Sequence, residues 1–310
     1  MARAIELTSR MDALAEVNAA FPWFFNTVVF VFGAAIGSFL NVCIYRIPAE
    51  RSIVTPRSTC ACGQPIAWYD NIPILSWLVL RGRARCCGQP FSIRYPAVEL
   101  LTAVLFVICW REYPPATAAA GMLIIAMLIC ASFIDIDHMI IPDRFSIGAA
   151  VLGVIVSLAI PALHGFTAGP DIVNRMRAVV ESMLGVLIGS GLVLWIGLLA
   201  EVVLRKEAMG FGDVKLVGAI GAFFGWQGAV FCVFGGAVLG TIGLGLVMLV
   251  HGLRPKPARA SGGEEPTAPV GFGRETPFGP MLAAGSLIYF LWLHPVVDQY
   301  FRDVADLLAG

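Results

Sequence analysis

The chain has 310 residues, of which 58% are hydrophobic and only 14% charged, with a formal net charge of zero. A soluble domain carries roughly 45–50% apolar and about 25% charged residues. Apolar runs of about 20 residues recur here, which excludes an ordinary soluble enzyme. The short alternating segments of a β-barrel are missing as well. The expectation is an all-α polytopic membrane protein with about eight transmembrane helices. Its partners would include membrane lipid and no nucleic acid.

In chain order, residues 1–20 form a polar, amphipathic start without the short apolar core and small-residue cleavage site of a removed signal. The first apolar run, 21–45, therefore reads as a retained helix. A polar, Arg-rich segment, 46–95, is the only one long enough for a small extramembrane domain. Spans two and three, about Pro96–Trp110 and Ala116–Ile134, are separated by the turn signal Arg-Glu-Tyr-Pro-Pro. Span four is Ile147–Leu163, followed by a Gly/Pro-containing loop to Arg177, and span five is Val179–Leu204. Val214–Phe224 is short, Ala229–Val250 is the seventh span, and Gly252–Pro280 reads as a flexible loop. Met281–Leu293 is the last span, with an amphipathic tail, 294–310, behind it.

Positive charge sets orientation. With the loop after span one inside, alternate inside loops collect 15 of the 21 Lys and Arg residues, leaving Arg3, Arg10, Arg111, Arg175, Arg177 and Arg302 outside. Both termini then lie outside. Two distant motifs, Phe-Ile-Asp-Ile-Asp at 133–137 and Gly-Phe-Gly-Asp at 210–213, come to the same cytoplasmic face. The sixth run, with about 11 residues, covers roughly 16 Å of a hydrocarbon core near 30 Å. Either it is re-entrant, or it starts below the surface in a water-filled pocket; the second reading keeps Arg254, Lys256, Arg259 and Arg274 inside. The pairs Gly185/Gly189, Gly221/Gly225 and Gly236/Gly240 would let helices approach closely around such a pocket.

The ionisable residues at that face are the functional candidates. Asp135 is the first polar residue at the end of span three, with Asp137 and Asp143 after it. Asp213 follows Gly210 and Gly212, which permit close backbone approach. The plainer explanation is a helix N-cap for Asp213 and pairing with Arg144 for Asp135 and Asp137. The chemical one is a pair of aspartates that share a proton and activate water.

Eight cysteines divide into two sets. Cys43, Cys109, Cys130 and Cys232 sit in apolar spans as small hydrophobes. Cys60, Cys62, Cys86 and Cys87 fall in the Arg-rich segment, on the side where disulfides are disfavoured. Two clusters about 25 residues apart, each continuing as Cys-Gly-Gln-Pro, read as a structural zinc site. Reduced, unligated thiols are the alternative, because adjacent cysteines are expected to diverge.

The motifs FIDIDHMIIPD, KEAMGFGDVKL and GSFLNVCIYRIP resemble those of the type IV prepilin peptidases, which are GxGD-type membrane aspartic proteases. YDNIPILSW, LRGRARC, FSIRYPAVELLT and TPFGP match the same family in order, over about Gly37 to Gly279. The resemblance implies Asp135 and Asp213 as the catalytic pair, with Asp137, Asp143, Gly210, Gly212 and Lys215 supporting. It implies a peptidase domain over 96–293 and a Cys-containing, methyltransferase-associated segment over 46–95. The family's zinc-binding members usually carry Cys-x-x-Cys twice, from which this chain departs. Prepilin and pseudopilin precursors are the implied substrates, cleaved on the cytoplasmic side of a bacterial inner membrane. S-adenosylmethionine is the implied donor for methylating the new amine. No Gly-x-Gly-x-x-Gly follows a strand to locate it, so no binding residues are assigned. The alternative from another class is a proton- or ion-coupled transporter using intramembrane aspartates.

Overall fold

Proline places several helix starts in this chain, because its missing N–H costs nothing in a first turn. The computed structural model describes residues 17, 20–205, 209–252 and 277–309, and no strand occurs among them. The helices are α1 (Pro22–Arg46), α2 (Leu75–Val79), α3 (Arg94–Glu112), α4 (Pro115–His138), α5 (Ile147–Ala159), α6 (Asp171–Leu204), α7 (Phe211–Gly252), α8 (Gly279–Ile288) and α9 (His294–Ala309). A π-helical turn, Tyr289–Leu293, joins α8 to α9. Pro22, Pro115 and Pro280 stand in the first turns of α1, α4 and α8. Left-handed residues end two helices: Met139 after α4 and Arg205 after α6.

Five helical stretches are long and apolar enough to cross a membrane: Pro22–Arg46, Pro115–His138, Asp171–Leu204, Phe211–Leu246 and Gly279–Leu308. The protein is thus an all-helical, polytopic membrane protein. The N-terminal segment apart from Val17 and Ala20, together with Lys206 and the loop bearing Arg254, Lys256, Arg259 and Arg274, lies outside the described residues.

Two boundaries differ from the expectation. Helix α6 starts at Asp171 rather than Val179, because its first two turns are polar, with Asn174 buried. Hydropathy hides such a start. Helix α5 ends at Ala159, and Pro161 opens a 3-10 turn to His164.

Helix α7 is two segments. Gly225 has φ 73° and ψ 179°, a conformation essentially reserved for glycine. Val217 O and Ala229 Cβ each lie 2.9 Å from where a Gly189 Cβ would stand. Twelve residues of continuous helix would separate them by about 18 Å. The chain therefore folds back at Gly225, and 226–252 returns beside 211–224.

Small residues set the helix contacts, as in membrane proteins generally. A Gly185 Cβ would meet Gly221 O at 2.0 Å, and a Gly221 Cβ would meet Gly185 O at 2.1 Å, so the α6 and α7 backbones touch. Ser182 Oγ donates to Ala222 O (2.7 Å) and Ser190 Oγ to Val214 O (3.0 Å) across the same seam. Gly236 packs on Leu282 and Gly240 on Met281, while Gly225 makes the turn. In α1 and α3, Gly33 faces Ala103, Gly37 faces Glu99, and Asn41 Nδ2 donates to Tyr95 O, so these helices run antiparallel.

The aspartate motifs occupy one end of the bundle. Aromatic rings close the other: Phe290 stacks on Tyr113 (4.5 Å) and on Phe224 (4.6 Å).

Candidate active site

Asp135 lies in the last turn of α4 and Asp213 in the first turn of α7, 78 positions apart in sequence. Both are buried, at 6% and 9% exposure. Ile141 lies against Gly212, next to Asp213, and against Gly279, whose N–H reaches Asp135, so the two carboxylates flank one small region. The expected N-cap role for Asp213 does not occur. It is the third residue of α7, and its own N–H donates to Gly210 O (3.1 Å).

One residue that the sequence reading did not single out completes this constellation. The Gly279 N–H, at the start of α8, donates to Asp135 Oδ2 (3.1 Å). Ile141, beyond the left-handed Met139, packs against both Gly212 and Gly279. Its side chain thereby ties the starts of α7 and α8 to the end of α4. Gly279 belongs to Thr-Pro-Phe-Gly-Pro, a quoted motif whose role no spacing rule could supply. A helix N-terminus facing a carboxylate is a favourable arrangement, since the unpaired N–H groups and the dipole both attract negative charge.

The other predicted acids take separate partners. Asp137 pairs with Arg94, not Arg144: Arg94 Nη1 donates to Asp137 Oδ1 (2.6 Å) and Nη2 to Phe133 O (3.1 Å). Its guanidinium also lies 4.8 Å from the centre of the Phe133 ring. Asp143 does not cap α5; its carboxylate receives Lys215 Nζ at 2.7 Å. Lys215 therefore sits beside the aspartate end of the bundle, clamped to the connection between α4 and α5. Both ion pairs are partly exposed. A cavity of about 390 Å³ opens beside Asp137, lined also by Tyr45, Pro48, Ala49, Arg51 and His138.

The Arg-rich segment joins this same end through Arg94 and through Arg46, which donates to Ser52 O and Pro56 O. Within the segment, two turns are each closed by an isolated bridge, Thr59 with Pro65 and Arg83 with Pro90. Gly63 (φ 87°) and Gly88 (φ 69°) make the reversals. The Sγ atoms of Cys60, Cys62, Cys86 and Cys87 all lie within 4.8 Å of one another. The pairs Cys60–Cys87 and Cys62–Cys86 are 3.5 and 3.4 Å apart.

The expected divergence of Cys86 and Cys87 does not arise, because the two sit in a tight turn rather than an extended strand. Zinc at about 2.3 Å from each sulfur needs S···S separations of about 3.8 Å. The donor set fits that ion. Hydrogen bonds from the Cys62 backbone and from the Cys86 and Cys87 thiols lower the Cys60 thiol to about 7. Its hydrogen bonds with Cys60 and Cys62 push Cys86 up to about 12. The cluster thus favours one early thiolate, the form a metal needs. Arg85 is a local brace, bonded to both oxygens of Asp70.

Comparison with known proteins places this arrangement. Residues 31–113 match the Bacterial Peptidase A24 N-terminal domain, and residues 122–245 match the Type IV leader peptidase family. The chain is similar to a prepilin leader peptidase/N-methyltransferase of Aeromonas hydrophila, at 35% identity over 94% of this chain and 99% of that one. Similar proteins of the same name occur in Myxococcus xanthus, at 36% identity over 78% of this chain and 68% of the relative, and in Klebsiella pneumoniae, at 37% over 71% and 94%. No solved structure matches. Identity at this level across nearly the whole length of a relative establishes descent, and the chain belongs to the type IV leader peptidase family of prepilin leader peptidase/N-methyltransferases.

Proposed function

We propose that the protein is a membrane aspartic endopeptidase that removes the short basic leader from type IV prepilins and pseudopilins, with Asp135 and Asp213 as its catalytic pair. The observation that carries this reading is their convergence, from two helices distant in sequence, around Ile141 and Gly279 at one end of the bundle. Two carboxylates close together in a low-dielectric site do not both ionise. The ionised one removes a proton from water, which attacks the scissile carbonyl carbon. The protonated one gives its proton to the carbonyl oxygen, and the amine is protonated as it leaves. Gly279 N–H fixes the rotamer of Asp135. Asp137, Asp143 and Lys215 act on the surroundings through their ion pairs. The relatives are named as peptidases and methyltransferases, which gives the transporter reading no support.

In this reading the helices make eight crossings, with 211–224 and 226–252 counted separately, and the aspartate end faces the cytoplasm of a bacterial inner membrane. A prepilin's basic leader would lie on that side, with its scissile bond at the membrane boundary. The segment 46–95 forms a small domain held by zinc on Cys60, Cys62, Cys86 and Cys87, and 96–293 forms the peptidase. The ion would replace a core that so short a segment cannot build.

Methylation of the new N-terminal amine is the second activity. S-adenosylmethionine presents an adenine, a carboxylate and a sulfonium cation, and the 390 Å³ cavity offers the Tyr45 ring, the Arg51 guanidinium and the Asp137 carboxylate. Tyr45 and Arg51 would hold the donor, with Asp137 at the wall, and the donor would supply the methyl group when bound.

The test is co-expression with a prepilin and separate Asp135→Asn and Asp213→Asn substitutions. Positioned acid–base groups contribute about 10²–10⁴-fold, so each variant should lose leader removal by at least 10²-fold. Survival of cleavage in both would overturn the assignment.

A further inference from the structure

We infer that α2 and the arginines after it are a membrane-docking surface that seats the Cys-containing segment on an anionic lipid interface. The first observation is an inverted pattern of exposure. In α2, Trp77 turns inward, packing on Gly82 and donating its Nε1–H to Phe91 O (3.4 Å). Leu75, Leu78 and Val79, on the opposite face, are 57%, 57% and 73% exposed. Spacings of three and four residues put them on one side of the helix. In a domain standing free in water, that face would be polar.

The second observation is depth. Ile74 N–H donates to Glu99 Oε2 (2.7 Å), and Ile74 adopts φ 63°, a costly conformation for a β-branched residue that a neighbour must hold in place. Glu99 is itself buried in the α1–α3 seam, where a Gly37 Cβ would stand 2.6 Å from its Cα. Gly37 lies nine residues before Arg46, about 13 Å along α1, and so within the apolar run of that helix. Glu99 lies five residues into α3, so the backbone just before α2 is held at the first turns of that helix, against the end of the bundle. An exposed leucine face at that level meets lipid.

The third observation is charge. Arg81 and Arg83 follow α2 with exposed side chains, while Arg85 is taken by Asp70. Leucine and valine beside unpaired basic side chains make the composition that binds an anionic leaflet. The surface rests on α1 crossing the membrane and not on the catalytic assignment of the aspartates. Its consequence is positional: it holds the cavity wall and the cysteine cluster against the membrane, next to the aspartate end of the bundle.

The full-length enzyme, reconstituted in phosphatidylglycerol/phosphatidylethanolamine vesicles with a prepilin, tests this by photocrosslinking. p-Benzoylphenylalanine is placed at Val79, independently at Leu75, and as a control at exposed Gln64. Phospholipid adducts at 79 and 75 are expected at five times the yield at 64 or more. Equal yields, or adducts at 79 and 75 to the prepilin or to a second copy of the chain, would overturn the inference. Combining the probe at 79 with Arg81→Glu and Arg83→Glu should lower the adduct yield at least twofold in these vesicles and leave it unchanged in phosphatidylcholine alone. No loss in the anionic vesicles refutes the headgroup role. Asp135→Asn should leave every crosslink in place, which separates this result from the fate of the catalytic reading.

Discussion

Gly279→Ala probes the one contact at the site that a residue-type argument would overlook. An alanine Cβ there would stand 2.7 Å from Asp135 Oδ2 and 3.2 Å from Ile141 Cδ1. Relief of that contact moves the carboxylate by about 0.5 Å or more. The hydrogen bond from Gly279 N–H, now 3.1 Å, then stretches beyond about 3.5 Å and ceases to count as one. A hydrogen bond to a charged group is worth about 1.5–3 kcal/mol. Expressed fully in the transition state, that loss slows cleavage by about 10- to 150-fold. The assay is the initial rate of prepilin cleavage by purified enzyme in lipid vesicles, with thermal unfolding measured on the same preparations. Gly191→Ala is the control, since its Cβ would meet nothing within 4 Å and helix propensity favours alanine. A Gly279→Ala enzyme that cleaves within twofold of wild type, at an unchanged melting temperature, would show that turnover does not depend on this contact.

Asp137→Asn should separate the two activities. Cleavage is expected to stay within about threefold, because general acid–base work worth 10²-fold or more resides elsewhere. Methylation of the product amine, read by mass spectrometry, should fall at least tenfold, and equal losses would refute the division. Replacing Cys62 with serine removes one of four sulfurs that lie within 4.8 Å of one another. Zinc in the purified protein should drop from one equivalent to less than about half, and a wild-type protein lacking zinc would dispose of the site. Gly185→Ala forces a Cβ to 2.0 Å from a backbone oxygen that cannot rotate away. The expected cost is about 1–3 kcal/mol or more, seen as a lower melting temperature, whereas Gly243→Ala, with nothing within 4 Å, should leave it unchanged. Lys215→Ala breaks a partly exposed ion pair worth about 1 kcal/mol or less. A loss of cleavage as large as that of Asp213→Asn would mean that Lys215 acts on the reacting groups directly.

The all-helical membrane class and the gathering of two aspartate motifs at one end of the bundle were legible without coordinates. Hydrophobic length and the parity of positive charge act locally, one residue or one loop at a time, and parity alone brings Asp135 and Asp213 to one face. The break between 214–224 and 229–250 was legible for the same reason, although the sequence could not say that Gly225 takes φ 73° and turns the chain back. The polar start of α6 was not legible, because Asn174 is buried by neighbours that hydropathy does not see.

Tertiary structure decided the partners. Nothing local chose Arg94 for Asp137, Lys215 for Asp143 or Gly279 for Asp135. The convergence of Cys86 with Cys87 depended on a turn that spacing arguments treat as extended. Sequence determines what each segment must bury and where it stops. Which polar atoms then meet depends on how glycine seams such as Gly185–Gly221 and Gly37–Glu99 set the helices side by side, a property of the packed whole.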